Sequence, residues 1–356
     1  MPPRRTELTR RGTLRLAIVI VAVAAAILPL SSRFIERWYS NGFYLIVQTH
    51  LTPVTNLIPV ALLDLAVTVL ILGFVRRAVR SRGGRPLALM RDAAGRLTVF
   101  AALLYLVFLI IWGLNYRRQP LVQKLEFDSS RVTRNSAVAL AEEAVSRVNG
   151  LHAAAHAQSG EGVSLQQAFA DAQRALGQRR VAAVGVPKRS LLAWYFRWAA
   201  IDGMTDPFFL EIIINPDALP IERPFVVAHE WAHLAGYADE SEANFVAWLT
   251  CVRGDEQARY SGWLVLHQHV LGALPHDDRR ALVARLEPGP RADLSAIDAR
   301  YRRAAPVVRQ AARDVYDSYL KANRVPEGIA SYDAVVRLVL GTTFDNGWAP
   351  RVRMSP

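Results

Sequence analysis

Apolar residues run in unbroken stretches through the first third of the chain, then recur at helical spacing among polar ones beyond residue 115. Three stretches stand out, at 14–30, 59–75 and 97–114, each 17 or 18 residues long. That length is at the short end of what crosses a bilayer core of roughly 30 Å. The pattern predicts three transmembrane helices over those residues and a membrane anchor spanning 1–114. Asp64 falls five residues into the second stretch, a headgroup-level position where a carboxylate costs little. The first stretch has the basic start of a signal peptide. Pro29-Leu30-Ser31-Ser32 is a poor small-x-small cleavage site, however, so the stretch reads as a retained anchor. Residues 33–58 mix aromatic and polar groups and suit an amphipathic segment at the outer interface.

From 115 onward the periodicity predicts helices at 136–156, 165–176, 224–235, 240–252, 256–273, 277–286, 292–323 and near 331–340, with a turn at 286–291. One β-branched and aromatic run bounded by prolines, 207–216, reads as a strand. The fold class is therefore mainly α. Three transmembrane helices precede a mostly helical α+β domain, 115–356, with a short sheet element.

Charge is unevenly placed. The formal net charge is +12, and residues 1–15 with loop 76–96 hold twelve arginines against two acids, which is +10 of it. The positive-inside rule then places the N-terminus and that loop in the cytoplasm and everything after the third span outside. The basic balance is topological, and nucleic-acid binding loses its main support. The single cysteine, Cys251, excludes an intrachain disulfide and a multi-cysteine metal site. It reads as a small buried apolar residue.

The chemistry concentrates in His229-Glu230-Trp231-Ala232-His233. On a helix, residues i and i+4 share a face, so both imidazoles can meet one zinc ion. Glu230 is placed to take a proton from an activated water as general base. The apolar Phe225-Val226-Val227-Ala228 approach buries the motif, and Gly236 is a natural helix C-cap. Three carboxylates compete for the third ligand position: Asp239, Glu240 and Glu242. Asp239 with Glu242 also forms an Asp-x-x-Glu capping box, and Asn244, one turn after Glu240, is placed to orient a histidine. His267 and His269 read as core or surface residues. His152 and His156 read as a solvated helix face. Strand 208–215 is expected to hold an extended substrate by strand addition, with Glu211 facing either substrate or solvent.

Three blocks carry a wider resemblance: residues 112–121 (WGLNYRRQPL), 224–245 (PFVVAHEWAHLAGYADESEANF) and 317–340 (DSYLKANRVPEGIASYDAVVRLVL). Together they resemble a bacterial multi-span membrane family of unknown function with a zincin-type, gluzincin-like motif, HExxH followed by Glu-x-Glu-Ala-Asn. The resemblance implies His229 and His233 as zinc ligands and Glu230 as base. Glu240 and Glu242 both match family positions, so the third ligand stays open. Tyr319, Lys321 and Asn323 fall in the last block, with packing as their default role. The expected protein is a membrane-anchored zinc metallopeptidase acting on a peptide or protein outside the bacterial cell membrane. The alternatives are a non-enzymatic membrane protein with a structural zinc site and a zinc hydrolase of a non-peptide amide in the cell envelope.

Overall fold

The computed structural model describes residues 5–80, 86–157, 164–325 and 334–353. It is mainly helical with a small sheet. The predicted helices of the second part appear as Arg134–His156, Leu165–Ala175, Arg223–Leu234, Glu240–Cys251, Glu256–Ala273, His276–Val283 and Ala334–Gly341. The long helix expected over 292–323 is two, Pro288–Arg302 and Pro306–Ala322. Pro306 lacks an N–H and cannot continue a helix, but suits a first turn. For the same reason Pro288 starts a helix inside the turn expected at 286–291.

The membrane prediction is met in part. Among the described residues one helix, Ala93–Ile111, is long and apolar enough to cross a bilayer. A second candidate exists only if Gly12–Ile27 and Ser32–Asn56, bent by 104°, count as one span. The middle stretch forms the helix Leu62–Arg80, but Asp64 at one end and Arg76, Arg77 and Arg80 at the other shorten its uncharged run. The arginine-rich loop 76–96 lies partly outside the described residues. Asp64 is also engaged: it accepts hydrogen bonds from Ser190 Oγ (3.0 Å) and Leu191 N (2.6 Å).

Residues 33–58 do not simply lie at an interface. A π-helix, Ile35–Phe43, runs into the helix Tyr44–Asn56, and Ile35, Tyr39, Tyr44 and Leu45 are buried. Ile35, Tyr39 and Tyr44 belong to the main core, which continues through Trp112, Leu121 and Leu125 to Trp231, Phe245 and Trp248. The division at 114 is therefore one of sequence character, since one packed core runs across it.

The larger of two sheets among the described residues has three strands, β1 (Pro187–Lys188), β2 (Gly203–Asp206) and β3 (Glu211–Ile214), in the order β1-β3-β2, and the other pairs Phe344–Asp345 with Ala349–Pro350. The predicted strand is shorter than expected, because residues 207–210 form a turn ending at Leu210 with φ 51°. It is also central, parallel to β1 and antiparallel to β2. Both of its edges are paired, so no substrate can add to it. Glu211 faces neither solvent nor substrate. It is fully buried, and its Oε1 accepts from Leu63 N at 3.2 Å.

Candidate metal centre

Pro224 near its start and an almost wholly apolar buried face set the helix Arg223–Leu234 in the core. Its end decides the geometry of His233. Gly236 has φ +82°, Gly236 N donates to His233 O (2.9 Å), and Tyr237 N donates to Ala232 O (3.1 Å). These two bonds form a Schellman motif, which needs a residue at positive φ. A Cβ at Gly236 would also come within 2.8 Å of Asn115 Oδ1. The turn aims the Tyr237 carbonyl back at His233 Nδ1, 2.8 Å away. Nδ1 therefore donates to that carbonyl, and in the neutral ring His233 Nε2 carries the lone pair.

The last carbonyls of this helix are taken by residues that precede it in sequence by more than a hundred positions. Trp112 Nε1 donates to His233 O (3.0 Å), Tyr44 Oη to Leu234 O (2.7 Å) and Arg118 Nη1 to Gly236 O (2.8 Å). Arg118 in turn pairs with both oxygens of the buried Glu36, each at 2.9 Å, and Lys124 reaches the same carboxylate at 2.8 Å. Segments from the first third of the chain thus complete the cap of the helix that carries the histidines.

Glu240 opens the next helix, Glu240–Cys251, and is 1% exposed. Its Oε2 lies 3.2 Å from His229 Nε2 and 3.6 Å from His233 Nε2, and the two imidazole nitrogens are 3.0 Å apart. Oε2 is buried and takes no well-formed hydrogen bond. Two bonds of about 2.05 Å at a tetrahedral angle separate their donor atoms by about 3.3 Å. The three observed separations bracket that value. A His2Glu donor set with an unpartnered buried oxygen fits a zinc ion. Burial opposes charge on His233, yet the Glu240 carboxylate overrides it and raises the imidazole to about 9. Burial likewise works against Glu240, but the two histidines hold it well below the usual carboxylate range.

The other carboxylates separate cleanly. Asp239 is the N-cap, with Oδ1 accepting from Ser241 N (2.9 Å) and Glu242 N (3.1 Å). Glu242 is a correction: it joins neither the histidines nor a capping box. Its carboxylate accepts from Leu121 N (2.5 Å), at the start of the short helix Leu121–Lys124. Burial, reinforced by Asp239 and opposed by Lys124, raises Glu242 to about 7. Asn244 is a second correction. Its Nδ2 is buried without a hydrogen-bond partner, and the bond that orients His233 comes from the Tyr237 carbonyl.

Glu230 is 4% exposed and sits beside the edge strand β2. Thr205 Oγ1 donates to Glu230 Oε2 at 2.7 Å. A Cβ on Gly203 would fall 2.6 Å from Glu230 Oε1, so the glycine leaves the carboxylate its space. Burial raises the Glu230 pKa, against the pull of His229 and His233.

Sequence reasoning missed Gly203, Thr205 and Tyr316. Tyr316 hydrogen-bonds Glu240 Oε1 from the helix Pro306–Ala322, one residue ahead of the block that carried the resemblance. Its signal was weak, an aromatic in an amphipathic helix. Tyr319 packs edge-on against Tyr116 and Phe108. Lys321 pairs with Asp317 on the surface, and Asn323 Nδ2 donates to Tyr319 O. Cys251 is buried and free, as expected. His267 is buried, and burial lowers it to about 4.

Residues 39–340 match the profile of a family described as "Protein of unknown function (DUF3810)". The chain belongs to that family. The match takes in the candidate metal ligands His229, His233 and Glu240, the helix-capping residues Tyr44, Trp112 and Arg118, and Tyr316. No curated protein and no solved structure matches the chain. For this DUF3810 member, Tyr316→Phe is expected to weaken zinc binding about 10- to 100-fold, the usual cost of losing a group that orients a ligand. Competition against a chelating dye measures this, and an unchanged affinity would remove Tyr316 from the centre.

Proposed function

We propose that the chain is a membrane-anchored, zinc-dependent metallopeptidase, acting on peptide bonds at the outer face of a bacterial cell membrane. The carrying observation is that His229 Nε2, His233 Nε2 and Glu240 Oε2 converge at 3.0 to 3.6 Å beside the buried Glu230. His229, His233 and Glu240 would hold the ion. When bound, zinc supplies Lewis-acid activation of a water molecule and of the substrate carbonyl. Glu230 takes the water's proton and passes it to the leaving amine. Its raised pKa brings it nearer the operating pH, where one group can both accept and donate. Thr205 and Gly203 fix where the Glu230 carboxylate sits.

Substrate binding moves from the expected strand to its neighbour. β2 is a sheet edge, so an extended peptide adding to it would lie against the strand that positions Glu230.

The membrane reading is supported by the helix Leu62–Arg80, where Leu65, Val67, Val69, Leu70, Ile71 and Leu72 are exposed. It is further supported by Leu191, Trp194 and Trp198, exposed beside the loop that Asp64 holds. Such aromatics favour the membrane–water boundary. Three spans with the basic segments inside would put the metal centre outside.

A second reading, a structural zinc site, draws on how closed the centre is. The side chains of His229, His233 and Glu240 are 14%, 10% and 2% exposed. Structural zinc sites are closed, whereas catalytic ones keep an open position. Full-length protein in detergent tests the proposal. It should carry zinc and cleave an unstructured peptide library, lose cleavage to a chelator and regain it with Zn2+. The His233→Ala chain should lose the ion of this centre and, with it, cleavage. A zinc-loaded wild-type chain that cleaves nothing would defeat the peptidase reading.

A further inference from the structure

A second group of metal-binding side chains lies away from the His229 centre. His152 and His156 are one turn apart on the helix Arg134–His156, and Asp293 comes from Pro288–Arg302. The expectation of a solvated histidine face holds only for part of the pair. The His152 side chain is 27% exposed, His156 is 44% and Asp293 is 14%.

Their nitrogens point at one oxygen. His156 Nε2 is 2.9 Å from Asp293 Oδ2 and His152 Nε2 is 3.5 Å from it. Tyr260 Oη donates to the same Oδ2 at 2.6 Å. A carboxylate oxygen offers two lone pairs, so three N–H or O–H donors exceed its capacity. Tyr260 and a His156 Nε2–H fill it, whereas with the His156 proton on Nδ1 one Oδ2 lone pair and the His156 Nε2 lone pair are open to an ion. That leaves His152 presenting its nitrogen to a point already rich in negative charge, with its ring centroid 4.4 Å from that of His156. Gly289 makes the approach possible. A Cβ there would fall 2.4 Å from His152 Cε1 and 2.7 Å from each ring nitrogen. The Pro288-Gly289-Pro290 sequence therefore starts a helix and leaves room for the ring in the same turn.

We infer that His152, His156 and Asp293 form a second binding site for a divalent transition-metal ion. The 2.9 and 3.5 Å separations fall on either side of the roughly 3.3 Å expected for tetrahedral zinc. Two imidazoles and a carboxylate suit zinc, nickel or copper better than magnesium or calcium. Tyr260 orients the carboxylate, which is the supporting hydrogen bond such sites use. The exposed flank of His156 provides the way in. An ion there ties Pro288–Arg302 to Arg134–His156 and Glu256–Ala273, the last of which also carries Ser261, the acceptor for Phe225 N at the start of the helix holding His229.

The test is Zn2+ stoichiometry in full-length protein equilibrated at micromolar free Zn2+. Wild type should bind two equivalents and His152→Asn or Asp293→Asn one. His233→Ala should bind one, and the His152→Asn, His233→Ala double variant none. Retention of wild-type stoichiometry by both His152→Asn and Asp293→Asn would overturn the inference. An equivalent lost with His152→Asn, together with no change in His233→Ala, would uphold it while sinking the His229 centre. A measurement on wild type needs no variant to fold. Zn2+ should block acylation of His152 and His156 by diethyl pyrocarbonate, and unprotected acylation of both would count against the site.

Discussion

Replacing Glu230 with glutamine is expected to lower peptide hydrolysis about 10^3-fold, within the range that general acid–base groups contribute, and to leave zinc content unchanged. The substitution is nearly isosteric. The carbonyl oxygen of the new amide would keep the Thr205 Oγ1 bond seen at 2.7 Å, and Gly203 would still leave the side chain its space. The metal donors are His229, His233 and Glu240, none of which changes. Only proton transfer is lost, so kcat should fall while KM and metal content hold. Turnover that survives in full would show that the carboxylate moves no proton. Activity absent from wild type and variant alike, with zinc present in both, would favour the structural reading.

Arg118→Leu is expected to cause the largest loss of stability, about 3–5 kcal/mol, the cost of removing one partner of a buried ion pair. At about 2.1 cal/mol/K per residue, for a chain of 356 residues, that corresponds to a fall in Tm of roughly 4–7 °C. Arg118 is 7% exposed and holds both oxygens of Glu36. Without it, that carboxylate stays buried with Lys124 as its remaining cation. The Gly236 carbonyl also loses its donor at the end of the histidine helix. Because the Gly236 turn aims the Tyr237 carbonyl at His233 Nδ1, zinc affinity should fall along with stability. Thermal unfolding of the detergent-solubilised chain measures the first effect and chelator competition the second. The double variant with Glu36→Leu should recover much of the lost Tm, since it no longer buries an unpaired charge. A Tm within about 2 °C of wild type in Arg118→Leu would mean that water or Lys124 compensates fully.

Much of the molecule could be read from the order of its residues. Helical periodicity located most helices of the second part to within a few residues, because an amphipathic stripe is a local property, but it fused Pro288–Arg302 with Pro306–Ala322 and passed over Ala193–Ala199. The i, i+4 histidines with an intervening glutamate placed three functional groups on one helix, and Gly236 marked where it ends. Other local readings went wrong where tertiary context competed. The apolar run around Glu211 looked like an edge strand, since composition cannot tell a paired edge from a free one. The Glu240 and Glu242 carboxylates could not be told apart, and Asp239 stayed a third candidate, because all three lie in or beside one helical turn.

Only the packing of distant segments separated them. Glu242 turns to Leu121 N and Asp239 caps its own helix, leaving Glu240 aimed at the two imidazoles. Tertiary structure alone brought β2 beside Glu230, set Tyr316 on Glu240, and gathered Trp112, Tyr44 and Arg118 on the end of the histidine helix. The physical reason is sequence separation. Capping signals and i, i+4 spacing act within a few residues and are written in order along the chain. These contacts join positions from 25 to 190 residues apart, and they exist only once one apolar core has closed around both ends.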